Sequence, residues 1–305
     1  MNSTLRFGII QLQNRPWATL AEHCQQVESL GYDSFWVADH FVNGHNREEG
    51  WFDGWSILTA LAAQTHTIRI GALVTNIIYR NPAALAKQAL TVDHISQGRL
   101  NLGIGATTER DPSHRMTGVE VWKTAERVQR FREVIEIVDL MLRNETTTYQ
   151  GRYYTITDAL MKPSPIQKPR PPLTIAAIGP TTLKIAAKYA DTWNTFAGWN
   201  LSPQQTFETL RERCDQLEQY CAQIGRDPNT ITRSFLVGLT DDKPFASLDA
   251  FYDFIGRYRE IGFGEFIFYY DYTPLPADKG LNREMLERIA TEAIPAIRAQ
   301  RGGML

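Results

Sequence analysis

Residues 68–105 read IRIGALVTNIIYRNPAALAKQALTVDHISQGRLNLGIG, and this one stretch holds a complete strand–helix–strand unit. It opens with an apolar, β-branched run at 68–74, short enough for a buried strand. Residues 82–97 follow with helical periodicity and a signal at each end. Asn81 stands at the N-cap, Pro82 at the first helical position and Gly98 just past the end. A second apolar run, 99–105, begins at once. Two strands joined this way through one helix form a parallel pair with a right-handed crossover.

The same alternation extends in both directions. Upstream lie a strand at 5–11, a helix at 17–30 closed by Gly31, a strand at 34–38 and a helix at 55–64. Downstream, a helix is expected at 124–143, then strand 173–178 with helix 181–189, and strand 192–196 with helix 203–224. The last of these opens on a capping box, Ser202 to Gln205, and stops at Gly225. Strand 231–239 with helix 248–261 and strand 265–270 with helix 282–298 complete eight βα units. A length of 305 residues admits two average domains or one large barrel. Strict alternation favours one closed α/β (β/α)8 TIM barrel over residues 1–305, with an open doubly wound sheet as the alternative. One connection breaks the pattern. Residues 144–172 are far longer than an ordinary αβ loop, and carry Tyr149, Tyr153, Tyr154 and the proline-rich run KPSPIQKPRPP. They read as a small insertion, a short hairpin packed on the barrel.

Bulk properties narrow the function. Thirty-two basic against 34 acidic residues leave a net charge of −2, which gives nucleic acid no polycationic face. The N-terminal MNSTLRFGII lacks the form of a signal peptide, and no apolar run is long enough to span a bilayer. Cys24, Cys214 and Cys221 form no C-x-x-C pair and fall in helical stretches, so reduced thiols and a cytoplasmic setting are expected.

A (β/α)8 barrel places its chemistry at the C-terminal strand ends, here Asp39-His40, Val74-Thr75-Asn76, Gly105-Ala106-Thr107, Gly179-Pro180-Thr181 and residues 269–272. His40 is the one histidine at an expected strand end, and imidazole can pass a proton near neutral pH; packing in the mouth is the plainer alternative. His40, His45, Glu48 and Glu49 lie close together but in a polar loop without fixed spacing, and the first strand ends in Gln11-Leu12-Gln13 rather than His-x-His. No metal is expected. Gly179 and Pro180 lead into a helix whose first amides lack acceptors, an arrangement that suits a phosphate, although glycine before a helix is also a common plain turn. Thr75 and Asn76 can form a backbone shelf beneath a flat ring. Of the tryptophans, the loop residues Trp51 and Trp199 are assigned with Gln11 to a substrate pocket, and the others to the core.

Taken together, GYDSFWVADHF, the stretch at 68–105 and PPLTIAAIGPTTLKIAAKYADTWNT resemble the luciferase-like family of flavin and deazaflavin oxidoreductases. The resemblance runs in the family's order over about the first two-thirds of the chain. It implies that Asp39 lines the cofactor site and that His40 stands beside the ring as acid–base or electrophile. It implies a cis peptide between Leu73 and Val74, a bulge supporting the ring. Thr75, Asn76 and Ala106 would contact the ring or ribityl chain, and Ile178, Gly179, Pro180 and Thr181 would hold the phosphate. Sugar-phosphate dehydrogenases of the family carry a glutamate where this chain has Thr108, with Glu109 adjacent, and a lysine where it has Trp199. An aromatic or apolar small molecule therefore fits better than a sugar phosphate. The V-T-N stretch resembles the deazaflavin branch, so hydride transfer with coenzyme F-420 is expected. The alternatives are an FMN-dependent monooxygenase served by a flavin reductase, and a flavin-binding protein without catalysis. A homodimer is compatible with the resemblance.

Overall fold

The computed structural model describes residues 5–44, 46–270 and 280–299. His45, weighed only for the metal set dismissed above, and the strand-end residues Asp271 and Tyr272 lie outside them. Strands β1 (Arg6–Ile10), β2 (Ser34–Val37), β3 (Arg69–Ala72), β4 (Thr75–Asn76) and β5 (Leu100–Gly105) come first. Strands β6 (Thr146–Gln150) and β7 (Thr155–Leu160) follow, then β8 (Leu173–Ala176), β9 (Thr192–Thr195), β10 (Thr232–Val237) and β11 (Phe263–Tyr269). All but β6 and β7 pair in parallel in the order β3-β2-β1-β11-β10-β9-β8-β5-β4, and β3 also pairs with β5. That last pairing closes a barrel of eight staves, with β3 and β4 as two halves of the third.

The third stave is not the continuous run expected at 68–74. Gly71 pairs with Asn101, and Thr75 pairs with Ile104. Four residues on one side (71 to 75) thus span three on the other (101 to 104), a bulge of one residue. Its extra residue lies at the Leu73–Val74 bond, which is cis. Val74 reaches across to Gly105, where any Cβ would meet its side chain.

The barrel interior is filled by Ile10, Trp36, Leu73 and Ile267. Trp36 is fully buried and its indole donates to Ser34 Oγ at 2.8 Å. A Cβ on Gly71 would lie 2.5 Å from this indole. The glycine in the middle of an otherwise good strand therefore makes room for the tryptophan.

Helices α1 (Trp17–Ser29), α2 (Gly54–Gln64), α3 (Pro82–Ile95), α4 (Ser113–Thr117), α5 (Thr124–Arg143), α6 (Pro180–Tyr189), α7 (Pro203–Gln223) and α8 (Leu248–Glu260) follow the strands. Short α4 has no counterpart in the sequence reading. The expected last helix is divided into α9 (Arg283–Arg288), a π-helical turn at Ile289–Ala293 and α10 (Ile294–Ala299). Pro295 has no amide to donate and crowds the preceding turn, and the wider π turn just before it absorbs that conflict. The insertion is the antiparallel hairpin β6–β7. Buried Glu133 of α5 accepts the amides of Arg152, Tyr153 and Tyr154, while buried Asp93 of α3 accepts those of Ile166 and Gln167. Two buried carboxylates, each satisfied by backbone amides, fix the insertion to the outer helices. The three cysteines are buried and unpaired, and burial pushes the Cys214 thiol up to about 11. Among the described residues, no helix is long and apolar enough to cross a membrane.

Candidate active site

The chain leaving β2 is pinned by a side chain from the chain leaving β1. Gln13 donates to Ala38 O at 2.6 Å and accepts from Ala38 N at 3.3 Å. Asp39 comes next and is 2% exposed. It accepts two bonds from Arg80, at 2.5 and 3.1 Å, and one from the Asn76 amide at 2.9 Å. Arg80 also lies over the Trp55 and Tyr79 rings and 3.7 Å from Asp53. Burial pushes the Asp39 carboxyl up, and Arg80 and the Asn76 amide offset only part of that rise. Asp39 thus ties the end of β2 to β4 rather than presenting a free acid.

His40 points out of this knot. Its side chain is 52% exposed, and Nδ1 lies 3.0 Å from Oδ2 of Asp111, whose side chain is only 6% exposed. The His40 carbonyl accepts from Trp51 Nε1 at 2.8 Å, and the next amide, Phe41 N, donates to Tyr79 Oη and Ser113 Oγ, both at 3.2 Å. A cavity of about 580 Å3 opens here, lined by His40, Asp39, Trp51, Tyr79, Arg80 and Val119 among others. Of the three residues assigned to a substrate pocket, Trp51 is the one on this wall. Trp199 is 56% exposed in the chain beyond β9, edge-on to Phe196. Gln11, just past β1, is buried; its Oε1 lies 3.1 Å from His23 Nδ1, and its Nε2 has no partner among the described residues.

The shelf sits on the next staves. Leu73, Thr75 and Asn76 are buried, with Val74 partly so. Asn76 reaches Thr107 Oγ1 at 3.3 Å and Asp111 Oδ2 at 3.4 Å, and so ties β4 to the loop after β5, where Ala106 is partly buried. The Thr75 hydroxyl is fully buried yet has no hydrogen-bond partner among the described residues. After β8, Gly179 caps α6 with extended backbone. Its amide donates to Thr182 Oγ1 at 3.2 Å and its carbonyl accepts from the same hydroxyl at 2.9 Å. Pro180 and Thr181 are exposed, as is Ile178. A Cβ on Gly179 would meet only Thr182 Oγ1 at 4.0 Å, so packing does not require glycine there. No acceptor among the described residues takes the first-turn amides of Thr181 and Thr182, the arrangement in which a helix start can receive an anion.

These features suit a flavin-type cofactor. An orphaned hydroxyl in an apolar shelf needs an external partner, and an open helix start needs an anion. Both lie at the C-terminal ends of the contiguous staves β2, β3–β4, β5 and β8. A cavity of about 480 Å3 at the opposite end of the barrel is lined by Arg233, Glu218 and Cys214 among others. Its Arg233 is already paired with Glu218 at 2.5 Å.

Sequence reasoning did not find Asp111, Arg80 or Ser113. Glu109, the acid adjacent to the family's glutamate position, is turned away, bonded to Thr124 Oγ1 at 2.5 Å and to Arg127 at 3.3 Å at the start of α5.

A closed parallel barrel with a histidine, a bulged shelf and an open helix start along one arc of its mouth defines a barrel of flavin-oxidoreductase type. The chain belongs to the luciferase-like monooxygenase family, which it matches over residues 3–292, a family of flavin- and F420-dependent oxidoreductases. It is 30% identical over 212 residues to an F420-dependent glucose-6-phosphate dehydrogenase of Amycolatopsis mediterranei, covering 68% of this chain and 62% of that protein. It is 31% identical over 214 residues to a 5,10-methylenetetrahydromethanopterin reductase of Archaeoglobus fulgidus, covering 69% and 58%. The chain thus spans about three-fifths of the length of these curated relatives. A coenzyme F420-dependent tetrahydromethanopterin reductase from Methanopyrus kandleri shares the fold, with a TM-score of 0.77 at 19% identity over 97% of this chain and 100% of that one. So does an F420-dependent secondary alcohol dehydrogenase solved with an F420-acetone adduct, with a TM-score of 0.78 at 18% identity over 97% and 99%.

Proposed function

We propose that this protein is a deazaflavin-dependent oxidoreductase that moves hydride to or from an apolar or aromatic organic substrate. The observation that carries the reading is the arc of staves just described, with His40, the shelf bearing the orphaned Thr75 hydroxyl and the open turn at Gly179 on one barrel face. When bound, coenzyme F-420 supplies hydride chemistry, and the protein supplies binding and orientation. Ile178, Gly179, Pro180 and Thr181 would hold its phosphate, the last through the amides that open α6. Leu73, Val74, Thr75, Asn76 and Ala106 would support the ring and ribityl chain. Asp39, paired with Arg80, keeps that support in place, and His40 gives or takes the accompanying proton.

An apolar substrate is supported by the rim. Phe41, Ile178 and Trp199 are each more than half exposed at this end, at 54%, 51% and 56%. The cation on the cavity wall, Arg80, already answers Asp39. The deazaflavin is favoured over FMN by the two curated relatives above, whose activities involve F420 or a tetrahydromethanopterin. Mixing the protein anaerobically with reduced F-420 and 2-cyclohexen-1-one should restore the oxidised deazaflavin's absorbance. Oxygen-dependent product formation with reduced FMN, and none with F-420, would instead establish the monooxygenase.

A further inference from the structure

We propose that Asp111 is a positioning residue that holds His40 as the Nδ1–H tautomer and leaves Nε2 as the nitrogen that exchanges a proton with substrate. The proposal rests on the reading of His40 given above, and its observations are separate. A half-exposed imidazole on a loop would ordinarily rotate and sample both tautomers. Here a carboxylate from the loop after β5 meets Nδ1 at 3.0 Å, 71 residues away in sequence. An ionised carboxylate can only accept, so Nδ1 must donate, and the neutral ring then carries its lone pair on Nε2. Nε2 has no hydrogen bond among the described residues.

The carboxylate is itself immobilised. Its Oδ1 accepts the Ser113 amide at 2.9 Å, and Asn76 Nδ2 and Thr107 Oγ1 each stand 3.4 Å from Oδ2. Ser113 bonds Phe41 N as well, so one turn of chain fixes both the His40 ring and the peptide that follows it. Burial pushes the Asp111 carboxyl up, but its bonds to His40 and Ser113 and the imidazole's charge outweigh this and hold it well below the usual carboxylate range. It therefore presents an acceptor to Nδ1 near neutral pH. The other charged or titratable groups on this wall are Asp39 and Arg80, paired with each other, Asp53 beside Arg80, and Tyr79, whose phenol burial pushes up to about 12. None of them contacts the ring nitrogens. In the reducing direction the doubly protonated ring gives its Nε2 proton to the substrate as hydride arrives. It is left neutral with Nδ1–H still on Asp111, and oxidation reverses both transfers.

The test is the tautomer itself, read by proton–nitrogen correlation spectra of nitrogen-15 histidine in the full chain without cofactor, at pH 8. The wild type should show His40 protonated at Nδ1 and bare at Nε2. Asp111→Ala should shift the ring toward Nε2–H. Circular dichroism should show a folded chain, and Asp111→Leu, which likewise offers no acceptor, serves if the alanine variant does not fold. With reduced F-420 and 2-cyclohexen-1-one, kcat of Asp111→Ala should fall while KM holds, by no more than the roughly 10²–10⁴-fold loss set by general acid–base catalysis. The rate–pH profile should move with it, and the double variant with His40→Ala should be no slower than His40→Ala alone. An unchanged tautomer in a folded Asp111 variant overturns the positioning. A shifted tautomer with His40→Ala as fast as wild type leaves the positioning standing as geometry and overturns its catalytic half, along with the reading of His40.

Discussion

Replacing Arg80 with alanine should unsettle the proposed cofactor shelf through its buried partner Asp39. Arg80 supplies two of the three bonds to Asp39, which is 2% exposed. Removing one partner of a buried ion pair typically costs about 3–5 kcal/mol, because the remaining charge is left without compensation. The Asn76 amide still serves Asp39, and the adjoining cavity admits water, so the lower end of that range is expected. At ~2 °C per kcal/mol for a chain of this size, the thermal midpoint should fall by about 6 °C at pH 7. The pH dependence has a definite sign. Burial already raises the Asp39 carboxyl in the folded state, so its neutral form is the one that folding tolerates, and ionisation weakens the fold as pH rises through the folded value. Losing Arg80 raises it further. The gap between variant and wild type should therefore be widest near neutrality and narrow as pH falls toward the ordinary carboxylate range. Calorimetric midpoints at pH 8, 7 and 5, with the exposed Arg283→Ala as control, check this. A midpoint within the control's scatter, or a gap that widens on acidification, would refute the account of Asp39.

Three further outcomes follow from the same geometry. His40→Ala should lower turnover of reduced F-420 with 2-cyclohexen-1-one by about 10²–10⁴-fold, with cofactor affinity from a fluorescence titration nearly unchanged; a lower thermal midpoint with turnover kept would make it a packing residue. Gly103→Ala should abolish soluble folded protein, since its Cβ would collide with the Ala72 carbonyl across the pairing that closes the barrel, and a well-expressed variant with native circular dichroism would contradict that. Gly256→Ala, in α8 with nothing near its added Cβ, should instead stabilise by about 0.4–1 kcal/mol in urea unfolding.

The sequence was most legible where end signals are local. Helix α5 begins and ends at the expected Thr124 and Arg143, and the Ser202–Gln205 box caps α7 as read. The break in the third stave was hidden, because a bulge of one residue is a matter of register between strands and leaves no mark in composition. The resemblance, not the residue pattern, carried both the bulge and the cis bond. Asp111 was illegible for a related reason. In TTERDPSH it is one of two acids in a polar loop, and only barrel closure decides that Asp111 meets His40 while Glu109 turns to Arg127. Arg80 was likewise overlooked beside Asn81 and Pro82, whose capping roles explained the segment without it.

The most direct test of the central claim is an equilibrium titration of the protein with oxidised F-420 and, separately, with FMN, followed by fluorescence, and repeated on Gly179→Val. F-420 should bind more tightly than FMN. The added side chain over the opening of α6 should weaken F-420 by at least about tenfold, or 1.4 kcal/mol, without lowering the thermal midpoint. Failure of F-420 to bind, tighter binding of FMN, or unchanged affinity in Gly179→Val would contradict the claim.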